Sequence, residues 1–305
     1  RVAKEKTTSP LDIFNLHRLA QSQRARILGM VLIPVNADHT IFLRRAPDVA
    51  QACLEAYGEQ AEPYVISLRE LLGVISAHEW RKNGVQVLTR DDEEVRIHPH
   101  YGVFSPVRGE YIELVLKTPL PAVIQKNSTA FDIGVGTGVL SVVLALRGIQ
   151  KIVATDLDER AIACAQENIE RLDLQSQIDV LKTDLFPSGK AALIVCNPPW
   201  LPARPSSSLE HAVYDPESQM LKGFLSNLKN HLLDDGEGWL ILSDLAEHLD
   251  LRSRDELLNW IEQANLKVLA RADTKPTHHK AFDKTDALHA ARSKEVTSLW
   301  RLALK

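Results

Sequence analysis

Cysteine is scarce in this sequence: Cys53, Cys164 and Cys196 are three in 305 residues, widely spaced and odd in number. Neither a disulfide framework nor a zinc ligand set can be built on them, so a reducing, cytoplasmic setting is expected. No apolar run reaches the roughly 20 residues that span a bilayer. The start, Arg1-Val2-Ala3-Lys4, has neither an initiator Met nor the apolar core of a signal segment, so the chain reads as soluble and as trimmed. An excess of one charge is also missing. With 36 Lys and Arg against 40 Asp and Glu, the formal net charge is -4, which excludes the global field that drives non-specific nucleic-acid binding. The N-terminal part, up to about Trp80, carries no repeat or low-complexity tract. His98 and His100 alternate in an expected strand and His278-His279 are adjacent. In these contexts satisfied or exposed imidazoles are expected, and no metal is assigned.

What the chain does have is apolar residues, 45% of the total, enough for a catalytic domain with a smaller one appended. Within residues 11–30, Ile13, Leu16, Leu19 and Ala20 recur at three- and four-residue intervals, the spacing of one buried helical face. Similar periodicity returns at 49–57 and 63–78. Residues 1–80 are therefore expected to form a mainly helical N-terminal recognition domain, with short strands at 31–33, stopped by Pro34, and at 39–43. The domain boundary is placed near Trp80. A hairpin and connecting segment follow over 81–127, with Val85, Val87 and Val95 flanking the turn-like Asp91-Asp92-Glu93-Glu94.

From residue 128 to 305 the pattern becomes strand then helix, repeated. Strands are expected at 130–133, 151–155, 178–182, 191–196, 239–243, 266–272 and 296–303, and helices at 138–147, 158–172, 217–233 and 254–264. Continuous apolar strands between amphipathic helices predict an α/β, doubly wound, mostly parallel seven-stranded sheet. Ligands then bind at the carboxyl ends of its strands.

The first of these strands runs into Asp132-Ile133-Gly134-Val135-Gly136-Thr137-Gly138. Gly134 and Gly136 suit a tight turn that approaches a ligand, and Gly138 a close helix start. The spacing GxGxG differs from the GxGxxG of dinucleotide folds, which counts against NAD or FAD. Asp156 ends the second strand where a carboxylate accepts from two ribose hydroxyls. Asp184, followed by Leu185, ends the third, where a carboxylate accepts from the amine of an adenine. The same residues also fit a bare tight turn, with Asp156 as a helix N-cap and Asp184 a turn residue before Pro187.

The fourth strand ends in Asn197-Pro198-Pro199-Trp200. Two prolines remove two donors and fix the turn, holding the Asn197 side chain and the Pro198 carbonyl at the sheet edge. If both accept from one NH2 group, they orient a weakly nucleophilic planar nitrogen toward a methyl donor without a strong base. Trp200 then offers a stacking face, a contact of about 1 to 3 kcal/mol for a base. Read alone, the string is a rigid loop. The following stretch, Leu201 to Ser208, suits a lid or recognition segment with Arg204 facing a phosphate or carboxylate, or a plain surface loop. His278-His279-Lys280 and Lys284 form a modest basic cluster that suits RNA contact or a solvated connection.

On these residues the chain resembles the class I S-adenosylmethionine-dependent methyltransferases with an Asn-Pro-Pro-aromatic signature, which act on adenine and guanine amino groups or glutamine side chains. The resemblance implies S-adenosylmethionine held by Asp132, Gly134, Gly136, Gly138, Asp156, Asp184 and Leu185, with Asn197, Pro198, Pro199 and Trp200 at the catalytic centre. The aromatic is usually Tyr or Phe, so Trp200 departs from the pattern. Upstream, residues 84–115 resemble the HemK/PrmC glutamine N5-methyltransferases, which modify peptide release factors. Pro106 and Glu113-Leu114-Val115 match, but the interval is longer and the Pro-Arg-Pro core is absent. A protein substrate such as a translation factor is implied. A base amino group of RNA or DNA is the alternative, and a non-catalytic cofactor-binding module the reading from another class.

Overall fold

The computed structural model describes residues 9–90, 93–107, 109–205, 213–276 and 283–305. Helix α1 (Pro10–Leu28) opens on a reciprocal cap: Ser9 Oγ accepts from Asp12 N–H while the Asp12 carboxylate accepts from Ser9 N–H, with Pro10 at the first position. Its buried residue is Phe14, beside half-buried Ile13, His17 and Arg18. Leu16 and Leu19 are exposed, at 60% and 55%. The buried stripe is thus rotated from the one the spacing predicts. The reason is the partner: Phe14 packs with Leu201, Leu245, Leu249 and Leu288, far along the chain.

Strand β1 (Leu32–Val35) pairs antiparallel with β2 (Tyr64–Ser67). Pro34 does not stop β1; it sits opposite Val65, in a two-stranded ribbon where each strand has one unpaired edge that tolerates proline. The strand expected at 39–43 does not form. His39 has φ 65 and its N–H closes a turn onto Asn36 O. The second strand comes instead from the start of the segment expected as helix, before α3 (Leu68–Asn83). Helix α2 (Ala50–Tyr57) and α3 close over the ribbon around Val35, Cys53, Ile66, Leu71 and Val74. A hairpin follows as expected, β3 (Val85–Arg90) with β4 (Glu93–Ile97). It ends at Ile97, so His98 and His100 lie beyond the strand assigned to them. Helix α4 (Glu110–Lys117) then buries Tyr111, Ile112, Leu114 and Val115.

The remaining elements alternate: β5 (Thr129–Ile133), α5 (Val139–Leu146), β6 (Lys151–Asp156), α6 (Glu159–Arg171), β7 (Ile178–Lys182), β8 (Ala191–Cys196), α7 (Gln219–His231), β9 (Leu232–Ser243), α8 (Leu245–His248), α9 (Arg254–Gln263), β10 (Leu266–Thr274), α10 (His289–Arg292) and β11 (Thr297–Leu304). The strands form one seven-stranded sheet in the order β10-β11-β9-β8-β5-β6-β7, with β11 antiparallel to both neighbours. Apolar clusters cover both faces. Val142, Val143 and Ile169 lie on one side, and Phe224, Leu228 and Leu257 on the other. Strand β9 starts well before Trp239, and α7 starts only at Gln219, because Glu217 and Ser218 adopt left-handed φ of 56 and 55. Chain order reverses between β5 and β8, the switch point where such sheets open a crevice. No helix among the described residues is long and apolar enough to cross a membrane.

Asn168 ties the glycine loop to the segment after the hairpin. Its Oδ1 accepts from His98 N–H at 2.7 Å, and Nδ2 donates to Thr137 O at 3.1 Å, Cys164 O at 3.1 Å and His98 O at 3.2 Å. The residue is 1% exposed. Asn168→Ala removes the side-chain partner of His98 N–H and Thr137 O and is expected to cost about 2 to 4 kcal/mol. A lower urea midpoint with unchanged slope measures it; an unshifted midpoint contradicts the assignment.

Candidate active site

Strand register assembles the site. Ile133 of β5 pairs with Cys196 of β8 on one side and Thr155 of β6 on the other. Gly134, Asn197 and Asp156 therefore stand in one row at the carboxyl edge, about 5 Å between neighbouring strands. The structure brings together the glycine loop, the end of β6 and the Asn-Pro-Pro-Trp turn.

The loop folds as its glycines allow. Gly136 has φ 52 and its missing Cβ would meet nothing within 4 Å, leaving open space over the turn. Gly138, at φ 83, begins α5, and a Cβ there would come to 3.3 Å from Ala165 of α6. Asp156 braces the loop from the next strand: one carboxylate oxygen accepts from Gly136 N–H at 3.1 Å and the other from Asp158 N–H at 3.0 Å. The N-cap of α6 is Asp158, not Asp156. A carboxylate has about four acceptor positions, so Asp156 retains capacity for two further donors.

Asp132, 1% exposed at the end of β5, accepts from Ser141 Oγ through Oδ2 at 2.6 Å, while its Oδ1 has no partner. Burial pushes this carboxyl up to about 7, against the opposing pull of the Ser141 hydrogen bonds. An orphaned buried oxygen, the open space at Gly136 and the spare acceptors of Asp156 fit a cationic ligand that carries hydroxyls. Binding a cation beside Asp132 favours its carboxylate, so a proton leaves. Affinity for such a ligand should rise about tenfold per pH unit up to about pH 7 and then level off. Calorimetry in buffers of different ionisation enthalpy reads the proton directly. A flat profile, or one that Asp132→Asn leaves unchanged, contradicts it. The sign for stability is opposite: the ligand-free fold binds the extra proton, so this group lowers stability as pH rises from about 4 to about 7.

Asp184 is exposed just past the end of β7. Leu185 has φ 54, and its carbonyl accepts from Thr155 Oγ1 at 2.5 Å. Its side chain lies against Gly223 of α7, where a Cβ would come to 2.6 Å, so it serves packing. Asn197, Pro199 and Trp200 are half-buried and Pro198 is buried. The Trp200 indole N–H donates to Asn197 Oδ1 at 2.9 Å. Cys196, just before the turn, is no nucleophile: burial pushes its thiol well above the usual value. The Asn197 side-chain oxygen and the Pro198 carbonyl are acceptors, the chemistry that suits an NH2 group.

Several neighbours escaped the motif. Leu157, beside Asp156, is 60% exposed, an apolar side chain at the edge of the cradle. The Met220 methyl sits 2.6 Å from where a Gly134 Cβ would be. Asp215 is buried and caps α7 through Met220 and Leu221 N–H. Both stems of the loop after Trp200 are held by α1: Arg18 donates to Arg204 O at 2.7 Å and lies 4.3 Å over the Tyr214 ring. The tip of that loop, including Ser206 to Ser208, and the basic residues His278, His279 and Lys280 lie outside the described residues. His98 and His100 are both partnered, by Arg81 O and Glu167.

Comparison with known proteins finds methyltransferases. The family model described as ribosomal protein L11 methyltransferase matches residues 114–199. A Methanocaldococcus jannaschii protein assigned as a protein N5-glutamine methyltransferase is 28% identical over 184 residues, 58% of this chain and 87% of its own. The tRNA1(Val) (adenine(37)-N6)-methyltransferase of Shewanella loihica is 26% identical over 200 residues, 60% of this chain and 79% of its own. The ribosomal protein L11 methyltransferase of Alkaliphilus metalliredigens is 38% identical over 80 residues; the match spans 26% of this chain and only a quarter of the length of that relative.

Proposed function

We propose that this chain, an S-adenosylmethionine-dependent methyltransferase, methylates the side-chain amide nitrogen of a glutamine in a protein substrate, such as a translation factor. The observation that carries the reading is the Asn197-Pro198 turn standing beside the glycine loop, by the pairing of Ile133 with Cys196. S-adenosylmethionine supplies an electrophilic methyl on a sulfonium centre. Asp132, Asp156 and the backbone of Gly134 to Gly138 would hold it, with Asp184 and Leu157 toward its adenine. Asn197 Oδ1 and the Pro198 carbonyl each accept one N–H of the acceptor amide, turning its lone pair toward the methyl carbon. Transfer to that nitrogen would form the nitrogen–carbon bond as the carbon–sulfur bond breaks, and the nitrogen would then give up one proton to solvent. The site then needs no base stronger than water.

The glutamine reading is supported by the Methanocaldococcus jannaschii relative, matched over most of its length. A transfer-RNA adenine amino group is the second reading, supported by the Shewanella loihica relative. The net charge of -4 favours the protein substrate, and the three buried free cysteines fit a cytoplasmic enzyme. The test is transfer of labelled methyl into lysate from cells lacking the enzyme, separated into protein and nucleic acid. Label in protease-sensitive material is expected; label only in nuclease-sensitive material overturns the glutamine reading.

A further inference from the structure

We infer that Trp200 is a positioning residue whose indole N–H fixes which end of the Asn197 carboxamide faces the acceptor. The inference rests on the reading of Asn197 as the group that holds the acceptor NH2. The Trp200 Nε1–H donates to Asn197 Oδ1 at 2.9 Å across the two prolines. The ring itself is anchored, packing against the apolar clusters on both faces of the sheet.

The prolines fix the backbone of the turn, but they leave the Asn197 side chain free to rotate. The terminal torsion of asparagine is broad and roughly two-fold, so an unpartnered carboxamide presents its oxygen or its NH2 to the acceptor. Only the oxygen is productive, because the acceptor nitrogen brings donors. An indole nitrogen donates and never accepts. At 2.9 Å it therefore selects the orientation with Oδ1 toward the ring. The carbonyl oxygen has a second lone pair, which stays available to the incoming N–H. A tyrosine hydroxyl both donates and accepts, and a phenylalanine ring does neither through a polar atom. Neither makes this selection, so the departure from the usual aromatic has a chemical consequence.

Two measurements test it separately. In nitrogen-resolved NMR of the whole chain, the Trp200 indole resonance, identified by its loss in Trp200→Phe, should exchange slowly with water. It should move and exchange faster in Asn197→Ala. With the methyl-accepting lysate protein fraction as acceptor, Trp200→Phe and Trp200→Tyr should lower maximal turnover about 3- to 10-fold, the loss of one neutral hydrogen bond. The apparent KM for the fraction and the affinity for S-adenosylmethionine should stay within about twofold. A ring that acts by stacking predicts the reverse: Phe and Tyr keep turnover, and only loss of the ring raises KM. An indole resonance that exchanges freely and ignores Asn197→Ala overturns the hydrogen bond. The predicted resonance with unchanged turnover in Trp200→Phe overturns the positioning role. If Asn197→Ala keeps full turnover while the resonance behaves as described, the proposed acceptor geometry fails and the contact stands.

Discussion

Asn197→Ala should lower turnover about 10²- to 10³-fold, the scale seen when one preorganised polar group at a reacting centre is removed, while S-adenosylmethionine binds as tightly as before. The separation follows from where the residue sits. Asn197 leaves β8 level with Gly134, but the loop is braced from the other side, by Asp156 on Gly136 N–H. Removing the carboxamide breaks no hydrogen bond of the cradle; it deletes the partner of Trp200 and, on the proposed reading, an acceptor for the incoming NH2. The turn keeps its shape because Pro198 and Pro199 fix their own φ. Single-turnover kinetics with bound, labelled cofactor measure the chemical step. A variant with parental turnover rejects the role, and one that has lost cofactor affinity moves Asn197 into the cradle.

Asp156→Ala should do the opposite, weakening S-adenosylmethionine binding about 10²-fold or more, since hydrogen bonds to a charged group are worth about 1.5 to 3 kcal/mol each. Two effects add. On the proposed ribose assignment the variant loses the acceptors for the hydroxyls, and it releases Gly136 N–H and Asp158 N–H, which the carboxylate now holds. Asp156→Asn keeps one acceptor oxygen and should fall between, near tenfold. Calorimetric titration reads both, and an affinity equal to the parent's in Asp156→Ala removes the ribose assignment.

The sheet was legible because its strands are continuous apolar runs between amphipathic helices: Ala191 to Cys196 is buried at every residue, and a run of that kind has few other homes. The same clarity placed the loop and the turn at the carboxyl ends of the strands, since both follow a strand directly. Legibility failed where packing partners come from elsewhere. Leu16 and Leu19 have helical spacing, yet Phe14 is the residue that finds Leu201 and Leu245 across the fold; periodicity gives a stripe but not its partner. Pro34 reads as a strand end, but an unpaired ribbon edge tolerates it. The strand expected at 239–243 begins at Leu232, running through Asp235 with its left-handed φ of 62. The Trp200 N–H to Asn197 contact lay within a four-residue motif and still went unread, because a motif records which residues are present and not which donor meets which acceptor. Asp132 was placed by the motif, but its orphaned oxygen is a property of burial, which no local spacing reveals.

The central claim is that the methyl group ends on a planar amide nitrogen, and the chemistry of the product tests it most directly. Strong acid hydrolysis of protein labelled by this enzyme should release the label as methylamine, the fragment left when an N-methylated glutamine becomes glutamate. Label recovered on a purine base, or as methanol after mild alkaline treatment, would contradict it.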